Sequence, residues 1–593
     1  VELLEHALRQ ASSLPLVAVG SGGSLTAAHF AAYVHTEYTG QLALAATPLD
    51  IATSAMAMRP LGALILTASG KNPDIIGAFR NMVSREPRSL TIVTTSGQSP
   101  LARAASKYDF VNFVGLEIPS GKDGFLATNS LIATCLLLMR GYSAACNRED
   151  GIPLRFQNLL PGRDPDRFAE EIQKRCAPLW DHQSLVVLHG ASTKAAAVDL
   201  ESKFVEAALG DVQVADFRNF AHGRHHWLAK RGTESAVLAI LCEDDREIGE
   251  KTLALLPRQI PIARVTLKQR GVHACLAALT YGLYVVGAAG QARGIDPGRP
   301  GVPAFGRRIY HLRGIATRPV PVRLPVTEIA AIERKSGLAV ATLEAEGQLD
   351  FWREAYSEFV QRVRRASFRG IVVDYDGTLC DEVDRYRGLS PAIGRELNRL
   401  LREGTMVGVA TGRGKSVRKA LRERVAKSYW RRLVIGYYNG AEVSRLSNDD
   451  VPARSQSVVA ELEPVVHSLQ SDTFLAKIAQ LEIRRHQIKV EPVASFSIDD
   501  IWDYLQQLLY ATKASGARAV RSMHSIDIIP ENVSKWAVVE HIVDTLRGRQ
   551  RPNVLCIGDL GRWPGNDFTL LGGRFGLSVA QVSPDPSTCW NLA

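Results

Sequence analysis

A repeated local pattern limits most sharply what this chain can fold into: a short apolar run ends in a Gly/Ser/Thr cluster, and a helical pattern follows. Leu16 to Val19 ends in Gly20-Ser21-Gly22-Gly23-Ser24. Ala63 to Leu66 ends in Thr67-Ala68-Ser69-Gly70-Lys71-Asn72, and Leu90 to Val93 ends in Thr94 to Ser99. Short apolar runs bounded by such loops read as buried strands, and strands alternating with helices read as a parallel sheet. Ligands of such sheets bind at the carboxyl ends of strands, where these loops lie. The pattern restarts at Leu185 to Leu188, followed by His189-Gly190-Ala191-Ser192-Thr193 and a helix over about 195–208. Ala236 to Leu241 and Ile262 to Val265 supply further strands. Two similar α/β lobes are expected, at 1–145 and 146–318.

Pro319, Pro321 and Pro325 then mark a boundary. A linker with a helix is expected over 319–366, and a new strand begins at Gly370 to Val373. At roughly 100–200 residues per domain, a chain of 593 residues has room for three or four units.

Composition narrows the partners. The net charge of +10 reads as dispersed, densest at Arg362, Arg364, Arg365 and Arg369, with no zinc-finger spacing. That predicts anionic substrates and no nucleic acid. The eight cysteines stand singly, with no CxxC pair, which suits a reducing compartment and argues against a disulfide framework or a zinc site. No leader pattern opens the sequence. The apolar run Ala274 to Ala292, interrupted by Thr280, Tyr281 and Tyr284, reads as a helix buried in a domain. The expectation is a cytoplasmic protein without a membrane partner.

Four pieces near the C-terminus carry chemistry. Val372-Val373-Asp374-Tyr375-Asp376-Gly377-Thr378 puts two carboxylates at a strand end, where one can attack phosphorus while the other moves a proton. Val407 to Arg413 ends a strand in Thr411, a hydroxyl suited to a phosphate oxygen. Lys535 offers a fixed ammonium. Val554 to Asp559, with Asn566-Asp567 after it, offers hard oxygen ligands for Mg²⁺. Taken singly, each piece has an ordinary reading as a turn, a helix cap or a surface lysine. In this order they resemble the haloacid dehalogenase superfamily of phosphatases.

That resemblance covers about 368–593. It implies that Asp374 is the nucleophile and Asp376 the general acid/base, and that Thr411 and Lys535 position phosphate. Mg²⁺ would be held by Asp374, the Asp376 backbone carbonyl, Asp559 and Asp567, with support from Asn566. Asn439-Gly440-Ala441 resembles a strand of members with a large α/β cap, which often act on sugar phosphates. A Rossmann-like core at 367–442 and 523–593, with a cap at 443–522 and a strand at Ser525 to Ile529 re-entering the core, follows from it. Six residues, Leu560 to Gly565, stand between Gly558-Asp559 and Asn566-Asp567, where the family usually has two. The added loop either bulges or carries Asp567 away from the metal.

The N-terminal loops resemble the sugar isomerase (SIS) family, which binds phosphosugars on flavodoxin-like lobes. By that resemblance Gly22, Ser24, Thr67, Ser69, Asn72, Thr94, Ser96, Ser99 and Thr128 bind the phosphosugar, with Glu117 and Lys122 to Thr128 as a closing loop. The second lobe resembles the isomerase half of glucosamine-6-phosphate synthase and related deglycases. Glu201 to Glu206 matches its E-x-x-K-x-x-E helix and Asn219 to Gly223 its His-Gly loop, which makes Glu206 a proton shuttle and His222 an aid to ring opening. Where that synthase has a substrate lysine, this chain has Arg307 and Arg308. An arginine forms no Schiff base at neutral pH, so aminosugar synthesis is not expected. The family also implies a homodimer or homotetramer through the lobes. Three readings stay open: a bifunctional sugar-phosphate enzyme, a phosphatase with a silent phosphosugar sensor, and a scaffold.

Overall fold

The structure is a computed structural model. It describes residues 2–592 except Ala55, Asp109, 119–120, Lys122, 149–150, Val302, 313–323, 381–387, 453–456, 494–495, 513–515, Arg547 and 549–550. Lys122 of the expected closing loop thus lies outside the described residues. The chain divides into two compact units, Val1–Pro319 and Val320–Ala593.

In the first unit, five strands form one parallel sheet: β1 (Leu16–Val19), β2 (Ala43–Ala46), β3 (Gly62–Thr67), β4 (Ser89–Thr94) and β5 (Val111–Gly115), in the order β2-β1-β3-β4-β5. A second parallel sheet holds β6 (Ser184–His189), β7 (Asp211–Asp216), β8 (Ser235–Leu241) and β9 (Ile262–Thr266), in the order β7-β6-β8-β9. The first four strands of each sheet share one order, so the internal repetition is a repetition of topology. β1, β3, β4, β6 and β8 are buried along their whole length, which is why they read as unbroken apolar runs. β2, β5 and β7 are partly exposed edge or near-edge strands, and β7 carries Asp211, Gln213 and Asp216. Their apolar signal is correspondingly broken.

Helices from both lobes share one core. Gly271–Arg293 packs on Lys194–Glu206 and Pro165–Cys176, and Gly23–Thr39 packs on Asn129–Ala145. Gly271–Arg293 is long and apolar enough to cross a membrane, yet 78% of its most apolar window is buried. Inside this core, Thr26 Oγ1 donates to Asp199 Oδ1 at 2.8 Å, and Lys203 Nζ pairs with the same oxygen at 2.5 Å.

In the second unit, a six-stranded sheet runs β13-β12-β11-β10-β18-β19. Its strands are β10 (Phe368–Asp374), β11 (Met406–Ala410), β12 (Leu433–Tyr437), β13 (Glu442–Arg445), β18 (Asn553–Leu560) and β19 (Gly576–Gln581). All its pairings are parallel except β12 with β13. A separate antiparallel sheet, β14-β15-β17-β16, is built from β14 (Ala479–Arg484), β15 (Gln487–Pro492), β16 (Ala517–Arg521) and β17 (Ile526–Pro530). It is backed by the helices Glu463–Ser471 and Ile498–Ala511.

Sheet membership corrects the expected cap of 443–522. β13 completes the core sheet, and β17 does not re-enter that sheet. Ile526 and Ile528 alternate into the cap's own apolar cluster with Ile488 and Val490, and this fixes β17 beside β15. The segment read as a linker is a helical layer of the second unit. Val326–Ser336, Val340–Ala345 and Leu349–Arg365 contribute Ile332, Leu343 and Phe359 to a cluster around the fully buried Trp590.

Removing the ammonium of Lys203 would strand the buried Asp199 carboxylate, a change that costs about 3–5 kcal/mol. Lys203→Met is therefore expected to lower the urea midpoint of the first unit sharply, and Asp199→Asn added to it should recover most of the loss. A single variant as stable as the parent would show that the pair is not buried.

Candidate functional site

The second unit gathers three carboxylates from two adjacent strands. Asp374 ends β10, Asp559 lies near the end of β18, and Asp567 follows the loop beyond it. β10 and β18 are parallel neighbours, with Val373 beside Ile557, so both strand ends reach the same edge of the sheet. Oxygens of Asp374, Asp559 and Asp567 lie within 4.8 Å of one another, and all three residues are buried. Lys535 Nζ donates to Asp374 Oδ1 at 2.6 Å and to Asp567 Oδ1 at 2.7 Å. Asp567 Oδ2 accepts the backbone N–H groups of Asp559 (3.1 Å) and Leu560 (3.3 Å). The six-residue loop therefore does not carry Asp567 away. Gly377, at φ 79°, allows the close passage of the chain, since a Cβ there would stand 2.3 Å from Asp559 Oδ2.

Two expected members sit differently. The Asp376 side chain is not in the carboxylate trio. The Arg413 guanidinium takes both of its oxygens, with Nε to Oδ2 at 2.9 Å and Nη2 to Oδ1. The planar guanidinium fork matches a carboxylate and binds both of its oxygens. Arg413 comes from the same Thr-Gly-Arg run as Thr411, and its role had no sequence signal beyond that neighbourhood. Thr411 is fully buried, and its Oγ1 accepts the Arg413 N–H at 3.0 Å.

Burial first, and then the neighbouring Asp567 charge, push the Asp374 carboxyl up to about 8 against the pull of Lys535. Burial and the charges of Asp374 and Asp567 push Asp559 up to about 9. Asp567 resists burial and lies below the usual range because it has the Lys535 ammonium. Without a cation the trio thus holds protons near neutrality. A purely carboxylate donor set that cannot ionise fully alone suits a hard divalent cation such as Mg²⁺.

The cap closes one side of a cavity of about 70 Å³ over this centre. Gln487, Ser525 and Asp527 from the antiparallel sheet line it together with Asn566. Asn439, held at φ 58° by the Asn-Gly turn, donates Nδ2 to Asp527 Oδ2 at 3.0 Å and so links core to cap. Burial pushes the Asp527 carboxyl up. The buried oxygens Gln487 Oε1 and Asn566 Oδ1 have no hydrogen-bond donor among the described residues. Lys489 is paired with Glu491 at 2.5 Å and Arg484 with Glu482 at 2.7 Å. The core's flank is strongly basic: between Pro391 and Arg432, Lys and Arg outnumber Asp and Glu twelve to three.

In the first unit, the loops after β1, β3 and β4 share one sheet end, but several expected ligands are spent on structure. Asn72 Oδ1 caps the helix Pro73–Arg85, and Ser99 Oγ caps Pro100–Ala105. Thr94 Oγ1 donates to Ala68 O at 3.2 Å and accepts the Ser96 N–H at 3.1 Å. Thr67 Oγ1 accepts the Gly70 N–H at 3.3 Å, and Thr94 and Ser99 are buried. Thr128 is bonded through N and Oγ1 to Asp123, whose carboxylate also takes the N–H groups of Asn129 and Ser130. Gly22, Ser24, Ser69 and Ser96 keep at least partial exposure at the cradle.

Glu206 and His222 are both exposed. Glu206 accepts from Ser202 Oγ at 2.6 Å, and His222 lies in the distorted turn Phe220–Arg224. No described contact brings either one to the first-lobe loops.

No protein-family model matches the chain. A stretch of 225 residues is 27% identical to a probable α,α-trehalose-phosphate synthase (UDP-forming) of Arabidopsis thaliana, covering 35% of this chain and 25% of that protein. The chain thus spans about a quarter of the length of that curated relative. Among solved structures, glucosamine-6-phosphate deaminase from Thermotoga maritima superposes with a TM-score of 0.39 at 18% identity, over 50% of this chain and 93% of that one. Tagatose-6-phosphate ketose/aldose isomerase from Escherichia coli gives 0.40 at 16%, over 51% and 88%. The C-terminal domain of glucosamine-fructose-6-phosphate aminotransferase from Francisella tularensis gives 0.40 at 13%, over 49% and 87%.

The raised values of Asp374 and Asp559 set a pH dependence. The folded chain keeps protons there that the unfolded chain releases above about pH 4, so their stabilising contribution is full below that and is lost as pH rises through 8 and 9. In EDTA, the melting temperature of the second unit is expected to fall from pH 5 to pH 9, and Mg²⁺ to restore most of it at the upper end. A pH-independent melting temperature in EDTA would show that the three carboxylates do not share one buried space.

Proposed function

We propose that the second unit is a Mg²⁺-dependent phosphohydrolase of the haloacid dehalogenase type, acting on a sugar phosphate through a phosphoaspartate on Asp374. The observation that supports it most is Lys535 bridging Asp374 and Asp567 beside Asp559, all buried under one cavity. Asp374, Asp559 and Asp567 would hold the cation, which when bound supplies the charge neutralisation that lets one anion approach another. Asp374 Oδ attacks phosphorus while the ester P–O bond breaks, and the leaving oxygen takes a proton. Water then attacks the aspartyl phosphate, gives up its proton and releases phosphate, and Asp374 is regenerated. Asp376 would move both protons, and because the Arg413 guanidinium holds both of its oxygens, substrate entry has to part the pair.

The wall of the cavity supports a neutral, hydroxyl-bearing leaving group. Gln487 Oε1 and Asn566 Oδ1 are acceptors without donors, and buried acceptors discriminate strongly for a group that supplies the missing hydrogen. Lys489 and Arg484 already have carboxylate partners, which weakens the pull of either on a second phosphate. The name of the Arabidopsis relative, which includes a trehalose phosphate, agrees with this substrate class.

The first unit is read as a phosphosugar-binding module. The bifunctional version would add isomerase or deglycase chemistry there. The exposed positions of Glu206 and His222 favour the other version, in which the lobes sense a phosphosugar without transforming it.

Phosphate release should be measured over hexose, pentose, aminosugar and disaccharide phosphates, with the sugar products identified. Asp374→Asn is expected to abolish release, and Lys535→Ala to reduce it by about 10²–10³, with EDTA silencing the parent. Release that survives in Asp374→Asn would end the phosphoaspartate reading. Sugar rearrangement that persists in that variant would favour the bifunctional version over the sensor.

A further inference from the structure

The loop Leu560 to Gly565 does more than bulge. Its far end pairs with the cap: Arg521 N donates to Pro564 O at 2.8 Å, and Asn566 N donates to Arg521 O at 2.9 Å, making a parallel bridge between Arg521 and Gly565. Arg521 is the last residue of β16, and β16 is the outer strand of the cap sheet. Its N–H faces away from β17, and an unpaired strand edge is a ready acceptor of one more strand. The loop itself is tightly folded. Gly565 N donates to Arg562 O at 2.7 Å, and a Cβ on Gly565 would stand 2.3 Å from Leu560 O. Trp563 meets the Phe568 ring edge-on at 5.6 Å. The other side of Arg521 is fixed within the cap, where its guanidinium pairs with Asp499 at 2.6 Å.

The bonded path continues into the acid centre. Asn566 lines the cavity, and the next residue is Asp567. The Asp567 carboxylate holds Lys535 at 2.7 Å and the N–H groups of Asp559 and Leu560. We infer that the segment 560–566 is a positioning strap: its backbone pairing with Arg521 ties the cap's outer strand to Asp567, so that cap closure and alignment of the carboxylate–lysine centre occur as one event. The consequence is a form of substrate selection. A substrate large enough to engage the cap is processed in the strapped state, whereas a small phosphate that needs no cap contact gains little from it. This inference rests on the phosphohydrolase reading of the same site.

A proline on an outward-facing edge position leaves a sheet ladder intact while removing one N–H donor. Arg521→Pro therefore cuts the strap bond, and Arg521→Ala removes the same side chain while keeping that bond. Steady-state kinetics should be compared on acetyl phosphate and on the sugar phosphate that the parent hydrolyses fastest. The expected result is that Arg521→Pro loses ten- to hundred-fold in kcat/KM on the sugar phosphate, mostly in kcat, relative to Arg521→Ala. On acetyl phosphate the two variants should agree within threefold. Equal losses on both substrates, or no difference between the variants, would overturn the strap.

Amide hydrogen exchange on the parent gives a reading independent of folding in the variants and of any activity. The Arg521 and Asn566 N–H groups are expected to be protected at least a hundredfold over free-peptide rates, and unprotected exchange there sinks the inference. Absence of any Asp374-dependent phosphate release, with both amides protected, would instead remove the phosphohydrolase reading and leave the strap as a structural link.

Discussion

Three carboxylates cannot share a small buried space at neutral pH without a countercharge, and the second unit is organised around that constraint. Lys535 supplies one positive charge, and its two bonds to Asp374 and Asp567 fix which oxygens remain to face the cavity. Burial and mutual repulsion keep Asp374 and Asp559 protonated at values of about 8 and 9. Each added positive charge therefore changes the protonation of the whole centre. The parallel neighbours β10 and β18 bring two of the carboxylates to one sheet edge, and the backbone N–H groups at the end of β18 hold the third. On the proposed reading, the cap, the Asn439–Asp527 link and the Arg521 bridge would keep water away from this centre and let it back for the second step.

What could be read in the sequence follows burial. Strands buried on both faces appeared as plain apolar runs, and their terminal Gly, Ser, Thr and Asp residues named the loops correctly. Strands with one wet face left no such trace. β7, with Asp211, Gln213 and Asp216, looks like a loop until it is seen beside β6. The cap edges were misplaced for a related reason. Ile526-Asp527-Ile528 alternates in the way any half-buried strand does, and alternation does not say which sheet the strand joins. That choice was made by Ile488 and Val490 across the sheet, more than thirty residues away in sequence. Arg413 beside Asp376 and Gln487 beside Asp527 escaped notice because their roles depend on side-chain direction, which no spacing records.

The first unit shows how far a loop's composition can mislead. Ser, Thr and Asn at a helix start are equally good at holding an anion and at capping the helix. At Asn72 and Ser99 the cap wins, because the oxygen lies within reach of the first N–H groups of its own helix. At the helix Asn129–Ala145 an internal carboxylate, Asp123, occupies the donors that a phosphate would seek. Of the expected ligands, Gly22, Ser24, Ser69 and Ser96 remain at the cradle on the ends of β1, β3 and β4, with the exposed Lys71 beside Ser69.

The contrast between the units bears on how they divide the work. On the proposed reading, the second unit meets a phosphate dianion with an ammonium and a cation site set beside a buried nucleophile, and that arrangement can carry a covalent step. The first unit's cradle offers hydroxyls, backbone N–H groups and the exposed Lys71, with no buried carboxylate among these residues. Such a cradle can hold a phosphate through hydrogen bonds that water also satisfies, which gives modest, readily reversible affinity. Reversible occupancy without chemistry is what a sensor of phosphosugar level requires. A catalyst would in addition need Glu206 and His222 brought from the surface to the sugar, and no contact among the described residues draws them there.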